Sequence, residues 1–318
     1  MELIGIDVRQ VERVARLISK NKEMFVKYID VYDERFFPPK ESDQETVVRY
    51  LMVMVSMDHR LSRPGKPYEV CLPDGCYHGA DLLYRLGRMK LDREPLFFEP
   101  RRLANVSAED VKGWLCVGEV CPPDPELRAA LLRDLGQKLE KLYGGSAVEL
   151  LRRSNGRMRG SPWQPGLVDN LKSFMAYSDP LEKKSILLAK FLEARGLFSP
   201  VDDIGIPVDN HLTRIALRLG LVVVSGALWK KIREGQEFTS DEDLLLRLTV
   251  KMALERLAKD AGLSHRELDD TLWRHGRETC LRGRQPLCDK CALRKACKAA
   301  ANSSFMVDEH VFYNTWYY

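Results

Sequence analysis

Apolar residues recur along most of this chain at the spacing that lines one face of a helix. After Asp7, "VRQVERVARLISK" sets Val8, Val11, Val14, Ala15 and Ile18 in that pattern, with Asp7 placed to cap it. "SDQE" at 42–45 reads as a capping box that opens an apolar run over 47–57. A further helix is expected to start at Ser107. "DPELRAALLRDLGQKLEKLYGG" carries Asp124 as cap, Pro125 in the first turn and Gly144-Gly145 as the stop, and Ser146 begins the next helix. Amphipathic stretches follow over 180–195, 209–220, 241–261 and 264–279. The one clear β signal is "YEVCLPDGCYHG" (68–79), two short runs around Pro73-Asp74-Gly75 that predict a hairpin. No internal repeat or low-complexity segment interrupts the pattern. The expectation is a mainly α protein with one small hairpin.

Composition adds bounds. With 318 residues, 45% hydrophobic and 30% charged, the chain can bury a core of one large or two joined domains. Its longest apolar runs, 51–57 and 219–229, are too short to span a bilayer. "MELIGIDVRQVERV" lacks the basic-then-apolar plan of a signal peptide. A cytoplasmic protein with no membrane partner is expected. The net charge of +4 selects no partner, but 271–298 holds eight Lys/Arg against two Asp/Glu, a local patch suited to phosphates. Abundant charge with few Asn and Gln points weakly to a thermophilic source.

Half of the eight cysteines crowd into "CLRGRQPLCDKCALRKAC", spaced C-x7-C-x2-C-x5-C at Cys280, Cys288, Cys291 and Cys297. In a reducing compartment such a cluster binds metal more often than it forms disulfides. Four thiolates satisfy either tetrahedral zinc or the corners of an iron–sulfur cubane. Zinc sites favour two similar knuckle pairs and only Cys288/Cys291 form one, so the spacing leans towards iron–sulfur. Cys71 and Cys76 flank the hairpin turn. With Cys116 and Cys121 they read as buried thiols or, in a thermophile, disulfides. The tail 303–318 holds six aromatics and is expected to dock on the protein's own surface.

"HGRETCLRGRQPLCDKCALRKAC" closely resembles the C-terminal iron–sulfur loop of the endonuclease III branch of helix-hairpin-helix DNA glycosylases, with one extra residue between the first two cysteines. Upstream, "IPVDNHLTRIALRLGLV" (206–222) places Asp209 at a helix N-cap, followed by His211, Arg214 and Arg218. It is similar to that family's V-D-x-H…R…R-L-G element. The resemblance implies a [4Fe–4S] cluster on the four cysteines and Asp209 as the essential carboxylate. It also implies Lys184, in "SDPLEKKSILLAKF" (178–191), as the Schiff-base amine of a bifunctional lyase; Lys183 faces about a third of a turn away. DNA contacts are expected at His211, Arg214, Arg277, Arg282, Arg284 and Lys290. Met57, Asp58 and His59 fall where the family lines the base pocket. The hairpin departs from the family: 176–181 reads A-Y-S-D-P-L, without the glycines whose amides hold a DNA phosphate.

The middle of the chain, 75–156, more faintly resembles the queuosine-salvage nucleotide glycosylases, through helix order and "LYGGS". Together these resemblances imply a mainly α, two-domain helix-hairpin-helix DNA glycosylase fold with a six-helix barrel, a small β-hairpin and a [4Fe–4S] loop. The barrel domain is expected over 41–206, the terminal domain over 1–40 and 207–300, and the aromatic tail over 301–318. The implied enzyme is a monomeric DNA N-glycosylase of base excision repair acting on damaged or mismatched double-stranded DNA. The alternatives are an N-glycosidase for a free modified nucleotide or nucleoside, or a non-catalytic iron–sulfur nucleic-acid-binding protein.

Overall fold

A computed structural model describes residues 4–318, so the first three residues of the N-terminal stretch read above lie outside it. The chain divides into two compact units: Met1–Ile29 with Gly205–Asn314, and Asp30–Ile204 with Thr315–Tyr318. Both are mainly helical, and no helix among the described residues is long and apolar enough to cross a membrane.

In the first unit the Val8–Ser19 helix packs on the Ser240–Ala261 helix, beside Asn210–Leu219 and His265–Glu278. Asp7 caps the first of these by accepting from the Gln10 amide at 3.0 Å, as its position in the sequence predicts. Leu246, Val250, Ala253, Leu254, Leu257 and Ala261 form the buried stripe of the long helix. A strand pair, Ile4–Ile6 antiparallel to Val222–Val224, closes this core; three-residue apolar runs carry no period from which to predict it.

In the second unit the Gln44–Met57 helix is central. It is apolar on nearly every side, and residues 50–57 are all buried, the mark of a helix surrounded by others. The Pro125–Tyr143, Ala147–Arg153 and Lys183–Ala194 helices pack around it. The capping box expected at 42–45 is not the one formed. Asp43 caps the helix by accepting from the Thr46 amide at 2.9 Å, while Glu45 reaches across to the Ala147 and Val148 amides and the Ser146 hydroxyl. There it accepts from the free amides at the N-terminus of the Ala147–Arg153 helix, where negative charge is stabilising. Ser107 and Ser146 cap their helices as expected; Asp124 sits at its N-cap position but gives its carboxylate to Arg63 instead.

The hairpin forms over Glu69–Leu72 and Gly75–His78, with Cys71 opposite Cys76 and disulfide-bonded to it; Cys116 and Cys121 form a second short-loop disulfide. The tail docks as expected: Trp316 donates to the Met175 carbonyl at 2.8 Å, and the Tyr318 carbonyl accepts from Arg60 at 3.0 Å.

Gly136 lies where the Pro125–Tyr143 helix meets the short Pro100–Leu103 helix. A Cβ there would stand 2.4 Å from the Pro100 carbonyl oxygen and 2.5 Å from the Ala104 nitrogen. Alanine elsewhere in a helix gains about 1 kcal/mol over glycine. Here the clash is with backbone, so Gly136→Ala is expected to destabilise the protein by about 1–3 kcal/mol, a fall measurable by urea denaturation.

Candidate active site and cysteine centre

Asp209 is the N-cap of the Asn210–Leu219 helix. Its carboxylate accepts from the Leu212 amide at 3.0 Å, and its carbonyl accepts from the Thr213 hydroxyl at 2.8 Å. The residue is half-buried, and Arg247, itself buried, donates to the preceding Val208 carbonyl at 3.3 Å. The carboxylate therefore has a rigid backbone and sits at the positive end of a helix.

The same helix reaches the cysteines. Arg218 donates to the Cys280 sulfur at 3.3 Å and to the Leu281 carbonyl at 2.8 Å, and its own carbonyl accepts from the Cys297 thiol at 3.4 Å. The His275 ring lies 3.5 Å from the Cys291 sulfur. Cys280, Cys288, Cys291 and Cys297 are all free thiols around one small, largely apolar cavity of about 30 Å³, lined also by Ile215, Leu219, Ala299 and Met306. Burial pushes the Cys291 thiol up to about 11 and raises Cys297 as well, so thiolates there need nearby positive charge. Among the described residues no three of His, Cys, Asp and Glu converge on a point for one metal ion. A single zinc needs sulfurs roughly 3.8 Å apart about one centre, given bonds of about 2.3 Å. Four thiols on one cavity wall match the number of cysteines that hold either zinc or a cubane cluster.

The basic residues divide by burial. Arg282, Arg284 and Lys290 are exposed on the cysteine loop, and Arg277 lies over the Trp273 ring at 4.6 Å. Arg214, read from sequence as a DNA contact, is instead 1% exposed: it donates to Glu309 at 3.0 Å and to the Gly276 carbonyl at 2.9 Å. Helical spacing alone does not distinguish a surface arginine from one buried against an acid that follows in the tail. His211 is half-buried, and burial beside Arg214 and Arg277 lowers its pKa to about 3. It is neutral at pH 7, and because arginine can only donate, its Nδ1 accepts from Arg214 at 3.2 Å.

The second unit holds the other candidates. The last two carbonyls of the Gln44–Met57 helix and the three that follow, 56 to 60, are each taken by a lysine or arginine. Lys184 donates to Ser56 at 2.6 Å, Arg128 to Met57 at 2.7 Å, Lys183 to Asp58 at 3.1 Å, and Arg128 again to His59 and Arg60 at 3.0 Å. Met57 and His59 are buried and Asp58 is half-buried, with its carboxylate 3.4 Å from Lys183. Lys184 is wholly buried, its Nζ 3.2 Å from the His59 Nδ1. Burial, then repulsion from Lys183, holds its pKa well below that of a free lysine, and burial beside Arg128 does the same to His59. Sequence reasoning missed Arg128, because an arginine on an amphipathic helix normally reads as solvated.

At the hairpin, Asp179 fills the place of the missing glycines. It is 1% exposed, and its carboxylate accepts from the Leu181 amide at 3.1 Å and the Lys183 amide at 3.0 Å.

No protein-family model matches the sequence, and no curated protein matches it. Solved structures do. A trapped endonuclease III–DNA covalent intermediate, in an estranged-adenine complex, superposes with a TM-score of 0.53 at 13% identity, over 92% of this chain and 97% of that one. A non-covalent endonuclease III–DNA complex gives 0.49 at 14% identity, over 92% and 96%. A thermostable thymine-DNA glycosylase gives 0.45 at 13%, over 92% and 97%. The chain shares the fold of the endonuclease III in that first complex.

A depressed lysine pKa fixes a sign. Unfolded Lys184 regains a proton below about pH 10.4 that the folded amine resists. Its contribution to stability is therefore greatest at high pH and falls as pH drops towards the depressed folded value. Lys184→Met is expected to flatten the pH dependence of unfolding in that window by up to about 1.4 kcal/mol per pH unit, read from urea midpoints across the alkaline range.

Proposed function

We propose that this chain is an N-glycosylase that removes a damaged or mispaired base from double-stranded DNA in base excision repair. One observation carries the reading. The helix that begins at Asp209 also supplies Arg218, which touches two of the four cysteines, so carboxylate and cysteine centre are one construction on a fold shared with endonuclease III. Breaking the bond from C1′ to the base nitrogen builds positive charge on the sugar. A carboxylate held at a rigid N-cap stabilises that charge and can orient the attacking water. The target base would be flipped out of the duplex to reach it.

The four free cysteines line one cavity and match in number and kind the ligands of a [4Fe–4S] cluster, which they would hold. Such a cluster supplies no step at the glycosidic bond; it fixes the loop that carries Arg282, Arg284 and Lys290 towards phosphates. Lyase chemistry through Lys184 is the further proposal. Its lowered pKa favours the nucleophilic amine, and reaching C1′ requires it to leave Ser56 and His59. The expected setting is a cytoplasmic monomer.

A second reading has a specific observation in its favour. Because Asp179 already occupies two hairpin amides, that turn offers no anion site, which suits a free modified nucleotide or nucleoside better than a DNA backbone.

The test is a panel of duplexes bearing uracil, 8-oxoguanine, thymine glycol or a G·T mismatch, run beside free modified nucleosides and with borohydride to trap a Schiff base. Asp209→Asn is expected to lower base release at least about 100-fold, while anaerobically purified protein keeps its absorbance near about 400 nm. Cys291→Ser is expected to lose that absorbance. Release only from free nucleosides would establish the second reading, and a trapped adduct absent in Lys184→Gln would establish the lyase.

A further inference from the structure

The segment 152–159 places four arginines together with no acid: Arg152, Arg153, Arg157 and Arg159. Just beyond it, "SPWQPG" (161–166) makes a tight turn with Pro162 and Trp163 at its tip. The Ser161 amide donates to the Gln164 carbonyl at 3.0 Å, and the Gln164 amide returns a bond to Ser161 at 3.1 Å. Trp163 is 91% exposed, the most exposed of the large apolar side chains among the described residues.

This exposure is not that of a loose loop. The Gly160 and Gly166 amides both donate to Asp169, at 2.7 and 2.9 Å, and the Met158 and Arg159 amides both donate to Asp202, at 2.6 and 3.0 Å. The two sides of the neck run backbone against backbone: a Cβ on Gly160 would stand 1.9 Å from the Gln164 carbonyl oxygen. Leu167 and Val168 tie back to Arg157 and Met158 at 2.8 and 2.9 Å. Arg159 pairs with Glu182 at the start of the Lys183–Ala194 helix. Two buried-side carboxylates and two obligatory glycines thus hold an indole out in water, where it makes no contact that would stabilise the fold.

Beside the neck lies an open groove of about 500 Å³, walled by Pro165, Arg152, Arg153, Tyr143 and Asn155. Arg152 and Arg153 are 72% and 50% exposed and share the single acid Glu149, and Arg157 is exposed as well. Four guanidiniums stand against Glu149, Glu182 and the neck's own Asp169 and Asp202; the neck's two acids are taken up by backbone amides, which leaves Arg152, Arg153 and Arg157 as the exposed groups open to an anion.

We infer that the Trp163 loop is a base-stacking finger. Its rigid, exposed indole takes the face of an unpaired or single-stranded nucleobase, and Arg152, Arg153 and Arg157 take the flanking phosphates. The chemistry selects this partner over a protein surface: an aromatic plane amid guanidiniums matches a base between phosphates, and every base offers a π-face. The inference rests on the proposed action on DNA and adds a contact outside the glycosidic centre. It also supplies the strand grip that Asp179 removes from the hairpin.

The experiment uses the full chain with a fluorescently labelled single-stranded oligodeoxynucleotide and a duplex carrying one unpaired base, read by anisotropy across a salt series. Trp163→Ala is expected to bind both roughly tenfold more weakly, with an unchanged melting temperature and an unchanged salt slope. Trp163→Phe is expected to keep most of the affinity and Trp163→Leu little of it, because stacking needs a ring. Arg157→Gln is expected to reduce the salt slope by about one. Equal binding by wild type and Trp163→Ala, or full rescue by leucine, overturns the finger and leaves the DNA reading standing. Failure of the wild type to bind either strand overturns both.

Discussion

Five successive carbonyls, the last two of the Gln44–Met57 helix and the three that follow it, each take a lysine or arginine from elsewhere in the unit and organise the interior of the Asp30–Ile204 region. A helix C-terminus carries unsatisfied carbonyls and partial negative charge. Buried without partners, such groups cost about 1–3 kcal/mol each. Lys184, Lys183 and Arg128 supply them all, and in doing so fix where Asp58 and His59 stand. Burial in this dry place brings Arg128 down to about 10 and, with repulsion from Lys183, depresses Lys184. The carbonyl clamp and the lowered lysine pKa are thus two consequences of one packing choice.

The first unit is organised by an analogous exchange. Arg214 and Arg218 leave the Asn210–Leu219 helix inwards and meet Glu309 and Asp308 of the tail, at 3.0 and 2.9 Å, as well as the start of the cysteine loop. Glu309 takes Arg282 as well, at 2.9 Å. A tail noticed in the sequence for its aromatics therefore does its main work through two acids. They neutralise the buried arginines and bind the Asn210–Leu219 helix and the cysteine loop into one piece.

Much of this was legible beforehand where the signal is local. Asp7, Ser107, Ser146 and Asp209 cap the helices they precede, because a cap depends on two or three neighbouring residues. The hairpin over 68–79 and the cysteine loop were legible for the same reason. Asp43 taking the cap expected of Ser42, Arg214 turning inwards and Asp179 filling the hairpin amides were not, because each depends on a partner or geometry that spacing does not encode.

The sequence by itself determined the helical class, the cysteine donor set and the Asp209 motif, since each is written in short-range patterns that local physics obeys. Only the tertiary structure decided which charges go inside. Arg128, Lys184, Arg214 and Glu309 look like surface residues in a string of letters. Their burial costs nothing prohibitive only because carbonyls, helix ends and opposite charges distant in sequence arrive at the same place. Conversely, Trp163 looks like core and stands in water, since two glycines and two carboxylates hold its loop there.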